Sequence, residues 1–68
     1  MITFEPLWAT MKEKHESSYT LIVKHGISRS LWGKLKHNRN VTLQTIDRLC
    51  EILDCDVADI VKHVPNDE

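Results

Sequence analysis

Residues 19–36 read YTLIVKHGISRSLWGKLK, and this stretch decides the fold. It holds two short segments with apolar residues three or four positions apart, separated by a turn at 25–28. Gly26 suits the left-handed end of a first helix, and Ser28 suits the cap of a second one. Two helices joined by so short a turn cross steeply, so the second projects from the surface. We therefore predict helices at 19–24 and 29–37.

Three further helices are predicted around this pair from the same spacing of apolar residues. The first follows Pro6 and ends at about 16, the fourth covers 43–53 with Thr42 as its cap, and the fifth begins at Asp54 or Asp56 and ends at Pro65. Ile2 and Phe4 are compatible with a short extended edge. The prediction is an all-α fold of five short helices in one domain over 1–68, with a core at about 4–65 and a polar tail at 66–68.

The net charge of −1 hides a strong polarity along the chain. Residues 17–46 contain five basic residues and no acidic one, whereas the other segments contain four basic and all ten acidic residues. A basic segment between acidic ends gives one face that attracts phosphate. This distribution favours a nucleic-acid partner, and a merely solvated basic face is the plainer alternative.

The helix at 29–37 has the chemistry of a helix that reads DNA. Its apolar residues share one side, whereas Arg29, Ser30, Gly33, Lys34 and His37 lie mainly on the other. A protruding helix fits the major groove, where its N-terminal residues reach base edges. Arg29 directly follows the cap and suits two hydrogen bonds to a guanine. Gly33 has two interpretations, close approach to the DNA or sequence drift, and both stay open.

Several stretches resemble the Cro/C1-type helix-turn-helix family of bacterial and phage regulators, and above all its short single-domain members. They are SSYTL at 17–21 with GISRS at 26–30, TLQTIDRLC at 42–50, and LDCDVADI at 53–60. The resemblance covers about residues 4–65. It implies a lambda-repressor-like domain of five helices, with the helix-turn-helix at helices two and three. The implied function is sequence-specific binding of double-stranded DNA and regulation of transcription, with repression as the expected mode.

The resemblance also implies which residues meet the DNA. Ser18 would contact a phosphate, and the backbone beyond the groove would be met by Lys36, Asn38 and Arg39. The groove itself would be faced by Ser28, Arg29, Ser30 and Lys34. In two places the sequence departs from the family pattern. Ile22 stands where a small alanine is common, which predicts wider packing of the two helices, and Ser18 replaces a commoner glutamine, which shortens one phosphate contact.

Other chemistries have less support in the sequence. Cys50, Cys55 and the four histidines lack the spacing of a structural zinc site, so we expect no metal, no other cofactor, and two reduced, structural thiols. The motifs of nucleophilic catalysis and of phosphate-binding loops are missing, so no enzyme activity is expected. The alternative function is a protein-binding adaptor or antitoxin-like partner module, which the acidic ends would suit.

Location and assembly follow from simple arguments. The N-terminal residues have no basic lead, and no stretch reaches the roughly 18 apolar residues of a membrane helix, so we expect a cytoplasmic protein without a membrane partner. One recognition helix reads few base pairs, so we also expect a homodimer. Its expected surface is helix five, with Trp8 as a candidate addition; the alternative is that these residues complete the core. The helix-five residues concerned are Val57, Ile60, Val61 and Val64.

Overall fold

The computed structural model describes residues 1–65, so the predicted polar tail at 66–68 lies outside the described residues. Its elements are β1 (Ile2–Thr3), α1 (Glu5–Glu13), a π-helix (Thr20–Lys24), α2 (Arg29–Lys36), α3 (Leu43–Leu53), a 3₁₀ turn (Val57–Asp59) and β2 (Lys62–His63). Within the described residues the chain is a small, mostly helical domain of the helix-turn-helix type with four helices. The predicted count of five is wrong. No helix among residues 1–65 is long and apolar enough to cross a bilayer.

The core is built from one apolar stripe on each helix and from the chain ends. Its buried members are Phe4, Leu7, Met11, Leu21, Ile27, Leu35, Ile46, Leu49, Leu53 and Ile60. At its margin Trp8 of α1 meets Trp32 of α2 edge to face, with 5.5 Å between ring centroids and an angle of 76°. This geometry is favourable for aromatic pairs. The half-buried Trp8 therefore packs within its own chain, against the helix expected to read DNA.

Each of the four helices is followed by a residue with a positive φ angle. These residues are His15 (59°), Gly26 (76°), Asn38 (53°) and Asp54 (51°). Glycine adopts this conformation without penalty, and asparagine, aspartate and histidine do so more often than other residues. After α1 the Glu16 N–H donates to the Met11 carbonyl over 2.8 Å, as in a Schellman end. The left-handed His15 therefore ends α1 at Glu13, before the predicted limit of 16.

A 3₁₀ turn and a strand replace the predicted fifth helix. The Asp56 N–H donates to the Asp59 carboxylate over 3.1 Å, and this capping box closes the single turn Val57–Asp59. The β-branched residues that follow favour extended backbone. A partner strand is present, because β2 pairs antiparallel with β1 and places Ile2 opposite His63. The extended edge expected near the N-terminus is thus β1, although Phe4 lies between β1 and α1.

The apolar stripe predicted for helix five is consequently divided. Ile60 is fully buried in the core, Val61 and Val64 are half-buried, and Val57 is 51% exposed. These four residues do not form one helix face, so the predicted helix-five dimer surface is wrong in its geometry.

The N-cap of α3 tests how much one local hydrogen bond contributes to the fold. Thr42 Oγ1 accepts from the Thr45 N–H over 3.1 Å at an extended cap residue. We expect Thr42→Ala to lower the free energy of unfolding by about 1 kcal/mol, because the Thr45 amide loses its side-chain acceptor and keeps only the Thr42 carbonyl, 3.1 Å away. Urea unfolding followed by circular dichroism measures the change. Thr42→Ser retains the acceptor and should stay near wild type, and an equal loss in both variants would contradict the capping role.

Candidate nucleic-acid interface

The start of α2 is set by its cap. Ser28 has an extended backbone, with φ −71° and ψ 154°, and its side chain accepts from the Leu31 N–H over 3.0 Å. This bond occupies the Ser28 hydroxyl oxygen as an acceptor and leaves its proton free to donate. Arg29 follows as the first helical residue, and it is exposed together with Ser30. The predicted cap and first residue of this helix are therefore confirmed.

The two sides of α2 differ as the sequence indicated. Leu35 is fully buried, and Leu31 and Trp32 pack against the core. Arg29, Ser30 and Lys34 are exposed on the opposite side, and Lys36 is exposed in the last turn. At Gly33, a β-carbon would meet nothing within 4 Å. The packing of the protein therefore does not require glycine at this position, so any requirement would come from outside the chain.

The turn before α2 is held in place by α3, a helix outside the helix-turn-helix pair. Gly26 takes φ 76°, and the next residue, Ile27, enters the core with 1% of its surface exposed. Arg48 of α3 donates from Nη2 to the His25 carbonyl over 2.7 Å. A β-carbon at Gly26 would lie 3.3 Å from the same nitrogen. Arg48 thus satisfies a carbonyl at the end of the helix that precedes the turn, and it covers the turn.

The first helix of the pair opens with a reciprocal cap. The Ser17 N–H donates to Thr20 Oγ1 over 2.8 Å, and the Thr20 N–H donates to Ser17 Oγ over 3.3 Å. Two amides of the helix start are satisfied in this way. Ser18 is therefore the first helical residue, and its side chain is exposed. This is the position from which a phosphate contact was predicted.

The same helix is π-helical from Thr20 to Lys24, and the His25 N–H donates to the Thr20 carbonyl over 3.1 Å. π-Helical segments are rare and are often found at functional sites. Here the wider helix contains Ile22, the bulky residue that departs from the family pattern. Ile22 is half-buried.

One carboxylate lies at the edge of the basic segment. Glu16 accepts from the Thr20 hydroxyl over 2.6 Å and lies 3.7 Å from His25 Nε2. The hydrogen bond from Thr20, with a smaller contribution from the charge of His25, lowers the pKa of Glu16 below its usual value. Glu16 therefore stays ionised beside the first helix of the pair.

The loop after α2 contains residues with different roles. Arg39 is exposed, and its N–H donates to the Lys34 carbonyl over 2.8 Å, which closes the helix end. Asn38 is left-handed, and its Oδ1 accepts from the Phe4 N–H over 2.9 Å. Asn38 therefore joins this loop to the residue between β1 and α1. Only its amide nitrogen, a donor, is left for the phosphate contact that the sequence predicted.

The arrangement is a short helix, a tight turn and a projecting helix with a basic outer side. A family model of the Cro/C1-type helix-turn-helix DNA-binding domain matches residues 6–66. The chain belongs to this family. Its Cro/C1-type domain is a DNA-binding domain, and the predicted family is confirmed.

A solved structure agrees with this assignment. The chain is similar to the crystal structure of the transcriptional regulator VanUg, form II, with 31% sequence identity and a TM-score of 0.85. The similarity covers 96% of this chain and 87% of the other. A comparison with curated proteins gives no match.

Sequence reasoning did not single out two residues that lie beside the candidate interface. Arg48 is 23 positions away from the carbonyl that it binds, and no local pattern links the two. Tyr19 is 70% exposed beside Ser18. A polar aromatic residue at a helix start, next to a predicted phosphate contact, is the signal that would have identified Tyr19.

The two cysteines lie away from α2, at the end of α3. The Cys55 N–H donates to the Cys50 carbonyl over 3.0 Å, so the two residues are joined across the left-handed Asp54 that ends α3. Both thiols are free and half-buried. A side-chain contact across this type of helix end is a common packing feature. Among the described residues no group of three or more His, Cys, Asp or Glu is placed to hold a metal ion.

Replacement of Arg48 tests its contribution to the turn. We expect Arg48→Met to lower the free energy of unfolding by about 1 kcal/mol, because the His25 carbonyl loses its charged donor. Lys12→Met on α1 is the matched control, since it removes another exposed cation. Urea unfolding of both variants gives the comparison. If Arg48→Met and Lys12→Met unfold at the same urea concentration, the role assigned to Arg48 is contradicted.

The thiols give a prediction about reactivity. Burial is the main cause that raises the pKa of Cys50 and of Cys55, and nearby acidic side chains add to it. A raised pKa lowers the thiolate fraction at neutral pH, so alkylation by iodoacetamide should be slower in the folded chain than in urea. The pH at which the alkylation rate reaches half of its maximum should also be higher for the folded chain than for the chain in urea. Mass spectrometry of quenched samples measures both, and equal rates in the two states would contradict this prediction.

Proposed function

We propose that the chain is a cytoplasmic, sequence-specific regulator of transcription that inserts α2 into the major groove of double-stranded DNA. The observation that carries the proposal is the outer side of α2, where exposed basic and small polar residues are presented by a helix packed on the core through its other side. No acidic residue occurs between 17 and 46, so the surrounding segment adds no repulsion of phosphate.

Base reading is assigned to the first two turns of α2. Arg29 is exposed at the first helical position, where a guanidinium can donate twice to the O6 and N7 of a guanine. Ser30 and Lys34 share the exposed side and would meet neighbouring bases. The open space at Gly33 supports close approach of the helix to the DNA. The Ser28 hydroxyl, whose proton is free, would donate a hydrogen bond to the DNA in the groove next to Arg29.

Backbone contacts are assigned to residues that flank α2. Ser18 starts the preceding helix, where side-chain and backbone donors suit a phosphate. Lys36, Arg39 and the amide nitrogen of Asn38 would meet the backbone beyond the groove. Contacts of this kind fix the register of a protein on DNA without reading sequence.

Repression is the mode of action that needs least from the protein. A domain bound over a promoter blocks access by occupancy, whereas activation requires a further productive contact. The similar protein VanUg is described as a transcriptional regulator. A transcription assay would distinguish the two modes, on a promoter that carries a binding site selected from a random pool of duplexes.

A homodimer is part of the proposal. α2 has eight residues, and at about 1.5 Å per residue it spans only about 12 Å, or a few base pairs. Two copies related by a two-fold axis would place their recognition helices in successive major grooves, roughly 34–36 Å apart. A near-palindromic site is the consequence.

The two arginines should differ in what they contribute. Arg29→Ala should cost about 1–3 kcal/mol on the selected site and relax preference at one base pair, because a base contact is lost. Arg39→Ala should weaken binding to all duplexes about equally and reduce the salt slope by about one unit. Fluorescence anisotropy on a duplex selected from a random pool, and on random duplex, measures these effects over a range of salt. If Arg29→Ala lowers the affinity for both duplexes equally, Arg29 contacts the DNA backbone and not a base.

The salt series also tests the proposed function as a whole. A DNA-binding protein releases counterions, so its affinity for random duplex falls steeply as salt rises. Absence of binding at low salt would favour the alternative class, a protein-binding adaptor or antitoxin-like module.

A further inference from the structure

The hydrogen-bond register of the small sheet leaves one strand edge open. Met1 and Val64 exchange two backbone hydrogen bonds of 2.8 Å, so they form a hydrogen-bonded pair of the antiparallel ladder. Such pairs alternate along a ladder, which makes Ile2 and His63 a non-hydrogen-bonded pair. The N–H and carbonyl of Ile2 therefore point away from β2. Neither group has a hydrogen-bond partner among residues 1–65.

This open edge borders an apolar groove. The groove has a volume of about 430 Å³ and lies between β1, the loop at 38–40 and the start of α3. Its walls include Val41, Ile46 and Val61. Leu43, at the first position of α3, is 86% exposed, and Ile2 is 50% exposed. No acidic side chain belongs to the described residues that line the groove.

We infer that this groove binds the β1 strand of a second copy of the chain, with the two strands antiparallel across a two-fold axis at Ile2. In each copy the Ile2 N–H would donate to the Ile2 carbonyl of the partner, and the Ile2 carbonyl would accept from the partner's Ile2 N–H. The Ile2 side chain of each copy would lie against Leu43 of the partner. The inference rests on the proposed function, because it names the surface of the proposed homodimer.

Three features favour a second copy as the occupant. An antiparallel edge pair is self-complementary, as a two-fold interface requires. The other edge of the sheet, on β2, carries the exposed Lys62, a residue type that discourages pairing at strand edges, whereas β1 presents Ile2. A weak dimer needs about 500 Å² from each copy, which is about a tenth of the 4966 Å² accessible surface of this chain. Exposed Met1, Ile2 and Leu43 supply much of that area.

The groove is also continuous with the proposed DNA surface. Residues 38–40 line it, and the same loop carries Asn38 and Arg39, which are assigned to the DNA backbone. A two-fold axis through the groove would therefore bring the DNA surfaces of the two copies next to each other. The dimer would then be strengthened on a duplex that carries two inverted sites.

The test uses neutral substitutions that leave the charge of the full chain unchanged. Leu43→Gln and Ile2→Gln alter the groove, and Val57→Gln on the 3₁₀ turn alters an apolar side chain whose exposure, 51%, is close to that of Ile2, 50%. Sedimentation equilibrium of the full chain, free and with a duplex of two inverted selected sites, gives the dimer dissociation constant. We expect the constant to rise about tenfold or more for each groove variant and to stay at the wild-type value for Val57→Gln.

Binding to a duplex with one site separates this inference from the proposed function. Leu43→Gln should bind the single site with wild-type affinity and lose only the cooperative binding to two sites. A wild-type chain that is monomeric and binds two sites without cooperativity overturns the dimer groove, even if single-site binding is intact. A loss for Val57→Gln equal to that for Leu43→Gln also overturns it. Failure of the wild type on the single site would count against the proposed function.

Discussion

The left-handed turn at Gly26 is the constraint on which the proposed DNA surface depends. Its φ of 76° redirects the chain so that Ile27 enters the core and Ser28 returns to the surface as the cap of α2. Arg48 holds the same turn from α3 through the His25 carbonyl. The exposure of Arg29 and the direction in which α2 projects both follow from this geometry. A side chain at Gly26 would be strained by its φ angle and would crowd the guanidinium.

The surfaces of this Cro/C1-type domain are separated by chemistry. The outer side of α2 is basic and polar, and the neighbouring groove beside β1 is apolar. The acidic residues lie outside the segment 17–46. The proposed phosphate contacts and the proposed apolar contacts therefore use adjacent but different residues. The loop at 38–40 borders both surfaces, so the proposed DNA contacts and the proposed dimer contacts lie next to each other.

The predictions from sequence were best where a structure is determined by neighbours in the chain. Ser28 and Thr42 were recognised as caps, and both accept the expected amide hydrogen bond. The bounds predicted for α3 agree with Leu43–Leu53. The end of α1 was placed too late, because His15 takes a left-handed conformation that is common for glycine and available to few other residues. The bond between Asn38 and Phe4 was not foreseen, because it joins residues 34 positions apart.

The C-terminal segment shows where local reasoning stops. The spacing of Val57, Ile60, Val61 and Val64 fits a helix face, but β-branched residues also suit a strand, and a strand needs a partner. That partner is β1, at the opposite end of the sequence. The amino-acid sequence by itself determined the helix caps and the side of α2 that faces outward, because these depend on residues within a few positions of one another. It also determined the charge polarity and the family, because these are read from the order of residues without any contact between distant segments. The tertiary structure alone decided the strand pairing, the link from Arg48 to the turn and the groove beside β1, because each requires contacts between segments far apart in the chain.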